Sequence, residues 1–322
     1  MRAFQNLVRF VKLLLWIAHK SHYSLAIIGL QHLRSTISQL RVVATMSSYP
    51  VAVSTEFPRE DTCFVLGNGP SLATDGKENL DIFQARDVFC VNGFVESDLY
   101  EVIKPKHYVL ADPDYWFSTM SLNVSAVDNC LFLNIINKTS WPLTIYMPFV
   151  AKSSIDGFFS GVKNIRVCYY NAVSVSGDDS LVNILYDHGL GMPSPQNVLI
   201  PTLFLSLRLG YKKIVLLGAD HSWHQSLVLD EENRVCVKQP HFYDETAELL
   251  PFEMAKIDNK LFTMDAAFYA FALMFEGYQK IEKYSKHLEA KIYNASSITF
   301  IDAFKRMSLA EIRRDLAFDK TI

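Results

Sequence analysis

Cys63-Phe64-Val65-Leu66-Gly67-Asn68-Gly69-Pro70-Ser71-Leu72 passes from four apolar residues through a glycine pair into a proline. An uninterrupted apolar run suits a strand buried on both faces, and glycine tolerates the tight backbone that must follow it. Pro70 fits the first turn of a helix, so strand, turn and helix are predicted in succession. In that arrangement the glycines let the backbone come close to a ligand, and the helix start offers free N–H groups to an anion. The outline is that of a phosphate or nucleotide turn. It lacks the third glycine of Gly-x-Gly-x-x-Gly and the lysine of a Walker loop, and an ordinary strand-to-helix turn uses the same residue types.

Further along, short β-branched and aromatic runs alternate with helical segments. Strands are predicted near residues 63–66, 88–91, 108–111, 130–133, 144–147, 165–169, 214–217 and 299–301, with helices over 198–209 and 258–286. That alternation predicts an α/β fold: a mostly parallel sheet with helices on both faces. Ligands of such sheets bind beyond the carboxyl ends of the strands. The second strand ends at Asn92, whose amide, like that of Asn68, donates and accepts at once and so suits a base or ribose edge. The third ends Asp112-Pro113-Asp114, either a clamp for a divalent ion or a helix cap. Ser194 or Asn197 is placed to cap the 198–209 helix, and Gly218 and Asp220 follow the strand after it. In the long second helix an aromatic-rich stripe reads as core packing, with Tyr269 and Tyr278 as candidates for an acceptor groove.

The 322 residues allow one large domain with an appendage, and 50% hydrophobic content with only 13 Gly and 12 Pro excludes disordered and collagenous classes. A net charge of -3 argues against a dedicated nucleic-acid binder. The charge is unevenly spread. Residues 1–55 contain no Asp or Glu but carry Arg2, Arg9, Lys12, Lys20, Arg34 and Arg41, leaving the rest of the chain at -9. Within this leader Phe4, Leu7, Val8, Val11, Leu14, Leu15 and Ala18 recur at helical spacing. Its longest apolar run, Leu13 to Ala18, falls far short of the roughly 20 residues that span a bilayer. Residues 1–46 are therefore predicted as a basic amphipathic segment lying on an anionic membrane surface, with 47–60 as linker and 61–322 as the main domain. This puts the protein in the cytoplasm, peripheral on the inner face of the cell membrane. Packing of the leader on the body or on a second copy in a homo-oligomer is the other possibility. Five widely spaced cysteines fit reduced core thiols and neither a disulfide framework nor a zinc site.

Taken together, Gly67-Asn68-Gly69-Pro70-Ser71-Leu72, the Asn92 and Asp112-Pro113 strand ends, and the unit Gly210-Tyr211-Lys212-Lys213, strand, Gly218-Ala219-Asp220 resemble the bacterial sialyltransferases of glycosyltransferase family 42 and related polysaccharide-locus proteins. The resemblance spans roughly residues 62–244. It implies a Rossmann-like GT-A-type domain that transfers a sialic acid-like keto sugar from a CMP donor to a surface glycan or lipid-linked glycan, with inversion and without metal or resident cofactor. It further implies that Asn68 and Asn92 hold the CMP moiety and that the helix start from Ser194 to Asn197 lies near sugar or phosphate. Gly67, Gly69, Pro70, Ser71, Asp112, Gly218 and Asp220 complete the expected donor site. A histidine in a lid over about 221–250 would be the general base. His241-Phe242-Tyr243-Asp244 resembles the base-bearing segment, which makes His241 the base and Tyr243 a donor to the leaving phosphate, with His221 and His224 as competitors. Two departures stand out: Asp112 replaces a customary Asn, and the family's paired tyrosines after the Gly-x-Asp strand are missing, with Trp223 and His224 nearby instead.

Two other functions fit the same residues. One is a pyrophosphokinase similar to archaeal hydroxymethylpterin diphosphokinase-like proteins, with Asp112 and Asp114 holding Mg²⁺ for ATP. The other is a non-catalytic peripheral membrane protein of a glycan assembly complex.

Overall fold

β1 (Thr62–Leu66) is buried along its whole length, which follows from its position in the middle of an eight-stranded sheet. The computed structural model describes residues 60–117, 130–155, 157–238, 249–255 and 260–318. The predicted leader, nearly all of the linker and the His241 segment lie outside the described residues.

After β1 come β2 (Asp87–Val91), β3 (His107–Val109), β4 (Leu143–Pro148), β5 (Ile165–Tyr170) and β6 (Lys213–Leu217). β7 (Val228–Leu229), β8 (Val235–Lys238) and β9 (Leu249–Pro251) form a separate antiparallel sheet, and β10 (Glu253–Ala255) pairs antiparallel with β11 (Lys260–Leu261). β12 (Lys291–Asn294) and β13 (Lys305–Arg306) return to the main sheet. Its order is β13-β12-β6-β1-β2-β3-β4-β5, and every pairing is parallel. The α/β architecture with a parallel sheet is therefore present.

Strand side chains alternate between two cores. Cys63, Val65, Phe89, Ile214 and Leu216 pack with the helices Asp179–Asp187, Leu199–Arg208 and Met264–His287 on one face. Phe64, Leu66, Cys90, Val215 and Leu217 pack with Leu72, Phe83, Phe132 and Ile312 from helices on the other. The Leu199–Arg208 helix is buried from Leu199 through Leu207 because it lies between the sheet and the long helix. At Gly277 of the long helix, an added Cβ would sit 2.6 Å from Ile200 Cδ1, so the two helices approach through a missing side chain. All five cysteines are unpaired, and four are buried.

Several sequence expectations are corrected. Residues 130–133 belong to a helix, Cys130–Lys138, because the apolar pattern continues to Ile135 and buries Leu131, Phe132 and Ile135 along one side. Residues 299–301 form no strand. The sheet is completed by β12 and β13, while Thr299 is held by hydrogen bonds of its hydroxyl to the Ala219 carbonyl (2.7 Å) and from Asn294 Nδ2 (3.0 Å). The long helix starts at Met264, not 258, since β11 precedes it. In the predicted lid, the described residues form a single 3₁₀ turn, Trp223–Ser226, and the β7–β9 sheet. Among the described residues, no helix is long and apolar enough to cross a membrane.

Candidate functional site

Strand order reverses beside β1: β2 to β5 extend to one side, and β6, β12 and β13 to the other. A crevice opens where connections leave a sheet in opposite directions, and the turns after β1 and β6 meet there. Gly67 N–H donates to the Leu217 carbonyl and Gly69 N–H to the Gly218 carbonyl, both at 2.8 Å. Gly218 has φ +61°, and an added Cβ would lie 2.6 Å from the Gly67 carbonyl oxygen. A Cβ on Gly67 would overlap the Gly218 carbonyl, and one on Gly69 would overlap the Asp220 carboxylate. These glycines thus serve the approach of two turns to each other, and Gly69 and Gly218 also line the cleft between them.

The anion expected at the first helix start is supplied by the protein. Asp220 accepts from Ser71 N–H (3.0 Å) and Ser71 Oγ–H (2.6 Å), so its carboxylate occupies the place proposed for a phosphate. Leu72 and Ala73 N–H donate to the Gly69 and Pro70 carbonyls. Asp220 is 5% exposed. Burial raises its pKa, and its hydrogen bonds from Ser71 work in the opposite direction. Ser71 and Asp220 together form a latch between β1 and β6.

The second helix start is also satisfied internally. Asn197 Oδ1 accepts from Leu199 N–H (2.9 Å) and Ile200 N–H (3.2 Å), whereas Ser194 Oγ accepts from Gln196 Nε2 (2.8 Å). Asn197 is therefore the cap, and Ser194 shapes the preceding turn.

Between these turns lies a cleft of about 500 Å³. β1 contributes Asn68, Gly69 and Pro70 to its wall, β2 Asn92, β3 Asp112 and Tyr115, and the capped helix Gln196 and Asn197. The β6 end adds Gly218, Asp220, His221, Ser222 and Trp223, and Phe252 follows the small sheet. Gly67, Ser71 and Ser194 are not part of this lining. Asn68 Nδ2 donates to the Val91 carbonyl (3.1 Å), while its buried Oδ1 has no partner. Asn92 adopts φ +45° and its carbonyl accepts from the Tyr108 hydroxyl; its Oδ1 lies 3.4 Å from Ala111 N. Among the described residues, no lysine or arginine lines the cleft. Among the described residues no group of three or more His, Cys, Asp or Glu could hold a metal ion.

No protein-family model matches the sequence, and no curated protein matches it. Among solved structures the chain is similar to the MAf glycosyltransferase from Magnetospirillum magneticum AMB-1, at 12% identity and a TM-score of 0.45. The match covers 85% of this chain and 39% of that protein, so this chain spans about two fifths of its length.

Sequence reasoning placed Asn68, Gly69, Pro70, Asn92, Asp112, Asn197, Gly218 and Asp220 in one site, and all eight line the cleft. His241 and Tyr243 lie outside the described residues. His224 does not line the cleft; its ring stands edge-on to Phe300 at 4.5 Å. Tyr278, a candidate for an acceptor groove, is fully buried instead and bonds to His221 Nε2 at 2.5 Å. That contact joins residues 57 positions apart, which helical periodicity alone does not encode.

Burial pushes the pKa of His221 down to about 3. His107, buried at the start of β3, is also pushed down to about 3, because burial outweighs the upward pull of Asp87. Both rings are neutral in the folded protein, whereas unfolded histidine takes up a proton near pH 6.5. The stability tied to them is complete above that pH and is lost as pH falls from about 6.5 toward about 3, at about 1.4 kcal/mol per pH unit for each ring. Urea denaturation between about pH 7 and about pH 5 should show this loss, and His221→Gln should remove one proton from the slope. An unchanged slope in the variant would contradict neutral burial of His221.

Proposed function

We propose that this protein is a glycosyltransferase whose cleft at the β1–β6 switch point holds a nucleotide-activated sugar, with a CMP-linked, sialic acid-like keto sugar as the best-supported donor. The observation that carries the proposal is the composition of the cleft: side-chain amides on the neighbouring strand ends at Asn68 and Asn92, and no cationic side chain among the described residues that line it. Side-chain amides suit the edge of a base, and a wall without cations suits one phosphate better than a chain of them. The sequence resemblance to the CMP-dependent sialyltransferases points the same way.

In this scheme the acceptor hydroxyl attacks the anomeric carbon from the face opposite CMP. The carbon–oxygen bond to the phosphate breaks, CMP departs with the bonding pair, and the hydroxyl proton passes to His241. Tyr243 donates to the leaving phosphate. The acceptor is a surface glycan or a lipid-linked glycan, and the basic leader holds the enzyme on the inner face of the cell membrane. No metal or resident cofactor takes part. For the leader, deletion of residues 1–46 should release the protein from vesicles containing anionic lipid in a flotation assay; undiminished binding would refute the anchor.

Thermal denaturation with CMP, UDP, GDP and ATP, each with and without Mg²⁺, tests the donor. At about 100 times its Kd, CMP should stabilise the fold by about 2.7 kcal/mol, or about 4–5 °C, without metal. Stabilisation by ATP only with Mg²⁺ would favour the pyrophosphokinase, to which Asp112 in the cleft lends support. No response to any nucleotide would favour a non-catalytic membrane protein.

A further inference from the structure

The backbone of the Leu199–Arg208 helix orients the Asn197 amide, and that amide orders the hydrogen bonds around His221. Asn197 Oδ1 is committed to two helix N–H groups, so the amide cannot turn over and Nδ2 must donate. Nδ2 stands 3.0 Å from Tyr278 Oη and 3.2 Å from His221 Nε2. The Tyr278 hydroxyl has two acceptors in reach, Asn197 Oδ1 at 3.2 Å and His221 Nε2 at 2.5 Å; the first is already engaged by the two helix N–H groups, so the proton goes to the nearer Nε2. Nε2 is then an acceptor, and the proton of the neutral ring resides on Nδ1.

Nδ1 has no hydrogen-bond partner among the described residues and is not one of the sealed, partnerless side-chain atoms. His221 itself lines the cleft. It also holds φ +53°, a backbone conformation that costs a non-glycine residue free energy and tends to persist at functional sites. The tilted Trp223 ring, 4.8 Å away, packs on the imidazole and adds to its immobilisation.

We propose that His221 is a fixed hydrogen-bond donor, through Nδ1–H, to the phosphate of the bound nucleotide, and that Tyr278 and Asn197 are positioning residues that hold it in this tautomer. This rests on the donor assignment made above and gives the described lining, which holds no lysine or arginine, a means of holding a phosphate. It also removes His221 from the candidates for general base, since its Nδ1 already carries the proton and its Nε2 is occupied by Tyr278. As bond to the phosphate breaks, an oriented donor stabilises the charge that collects there.

The test compares CMP with cytidine, which lacks the phosphate, by calorimetric titration of the full chain. His221→Phe should weaken CMP binding about tenfold to hundredfold, as expected for loss of a hydrogen bond to a charged group, and leave cytidine binding within about twofold. Equal loss for both ligands, or no loss for CMP, would overturn the proposal while leaving the donor assignment standing. Failure of the wild-type protein to bind either ligand would overturn the donor assignment and this proposal with it. A second readout needs no ligand: long-range ¹H–¹⁵N spectra should show the His221 proton on Nδ1 in the wild type, with that preference lost in Tyr278→Phe. A proton on Nε2 in the wild type would overturn the proposal independently of any nucleotide.

Discussion

His241→Ala is expected to lower kcat by about 10²–10⁴-fold while CMP affinity stays within about twofold. A general base acts on the acceptor's proton in the transition state, so its loss removes rate and spares donor binding. The competitors are distinguished by their surroundings. His221 Nε2 is occupied by Tyr278, and its burial keeps the ring neutral with a pKa of about 3, too weak a base to take a proton near neutral pH. His224 packs its ring against Phe300, outside the cleft lining. His224→Ala should accordingly retain most of the turnover. Steady-state kinetics with a CMP-sugar and an acceptor, alongside equilibrium titration of CMP, checks both variants. Near-normal turnover by His241→Ala would eliminate it as the base.

Gly218→Ala is expected to destabilise the fold by about 3 kcal/mol and to abolish nucleotide binding. Two costs coincide at this position. A φ of +61° is strained for any residue with a Cβ, and that Cβ would meet the Gly67 carbonyl oxygen at 2.6 Å and Leu72 Cβ at 3.0 Å. Relief requires the β1 and β6 turns to part, which breaks the hydrogen bond from Gly69 N–H to the Gly218 carbonyl and displaces the cleft wall. Gly161→Ala separates the two costs. Gly161 has φ +86° but nothing within 4 Å of an added Cβ, so only the conformational cost of about 1 kcal/mol should appear. Urea titrations of the two variants measure the difference. Equal destabilisation would mean that the turn-to-turn contact contributes nothing.

The parallel sheet and the end of it that carries the cleft were legible because they rest on local patterns. The buried strands around Cys63 and Ile214 are continuous apolar runs, and the residues just after them carry the site. Other features depended on contacts that no local pattern encodes. Asp220 was visible as a polar residue at a strand end, but its role as the latch for Ser71 requires two turns 149 residues apart to meet. The same meeting accounts for Gly67 and Gly69, whose missing side chains face Gly218 and Asp220. Local sequence left the cap open between Ser194 and Asn197; the geometry of the Pro195 turn places the Asn197 oxygen at the helix N–H groups. The helix Cys130–Lys138 escaped detection because its first four residues read equally well as a strand, and only Ile135, one turn later, reveals the period.

The central claim is that the turn bearing Asn68 embraces an activated nucleoside instead of merely joining a strand to a helix. A crystal structure of the full chain with CMP tests this most directly. The nucleotide should lie between Asn68, Asn92 and His221, with its phosphate against His221 Nδ1 and no metal ion bridging it to Asp112. CMP seated elsewhere on the protein, with this cleft unoccupied, would contradict the assignment.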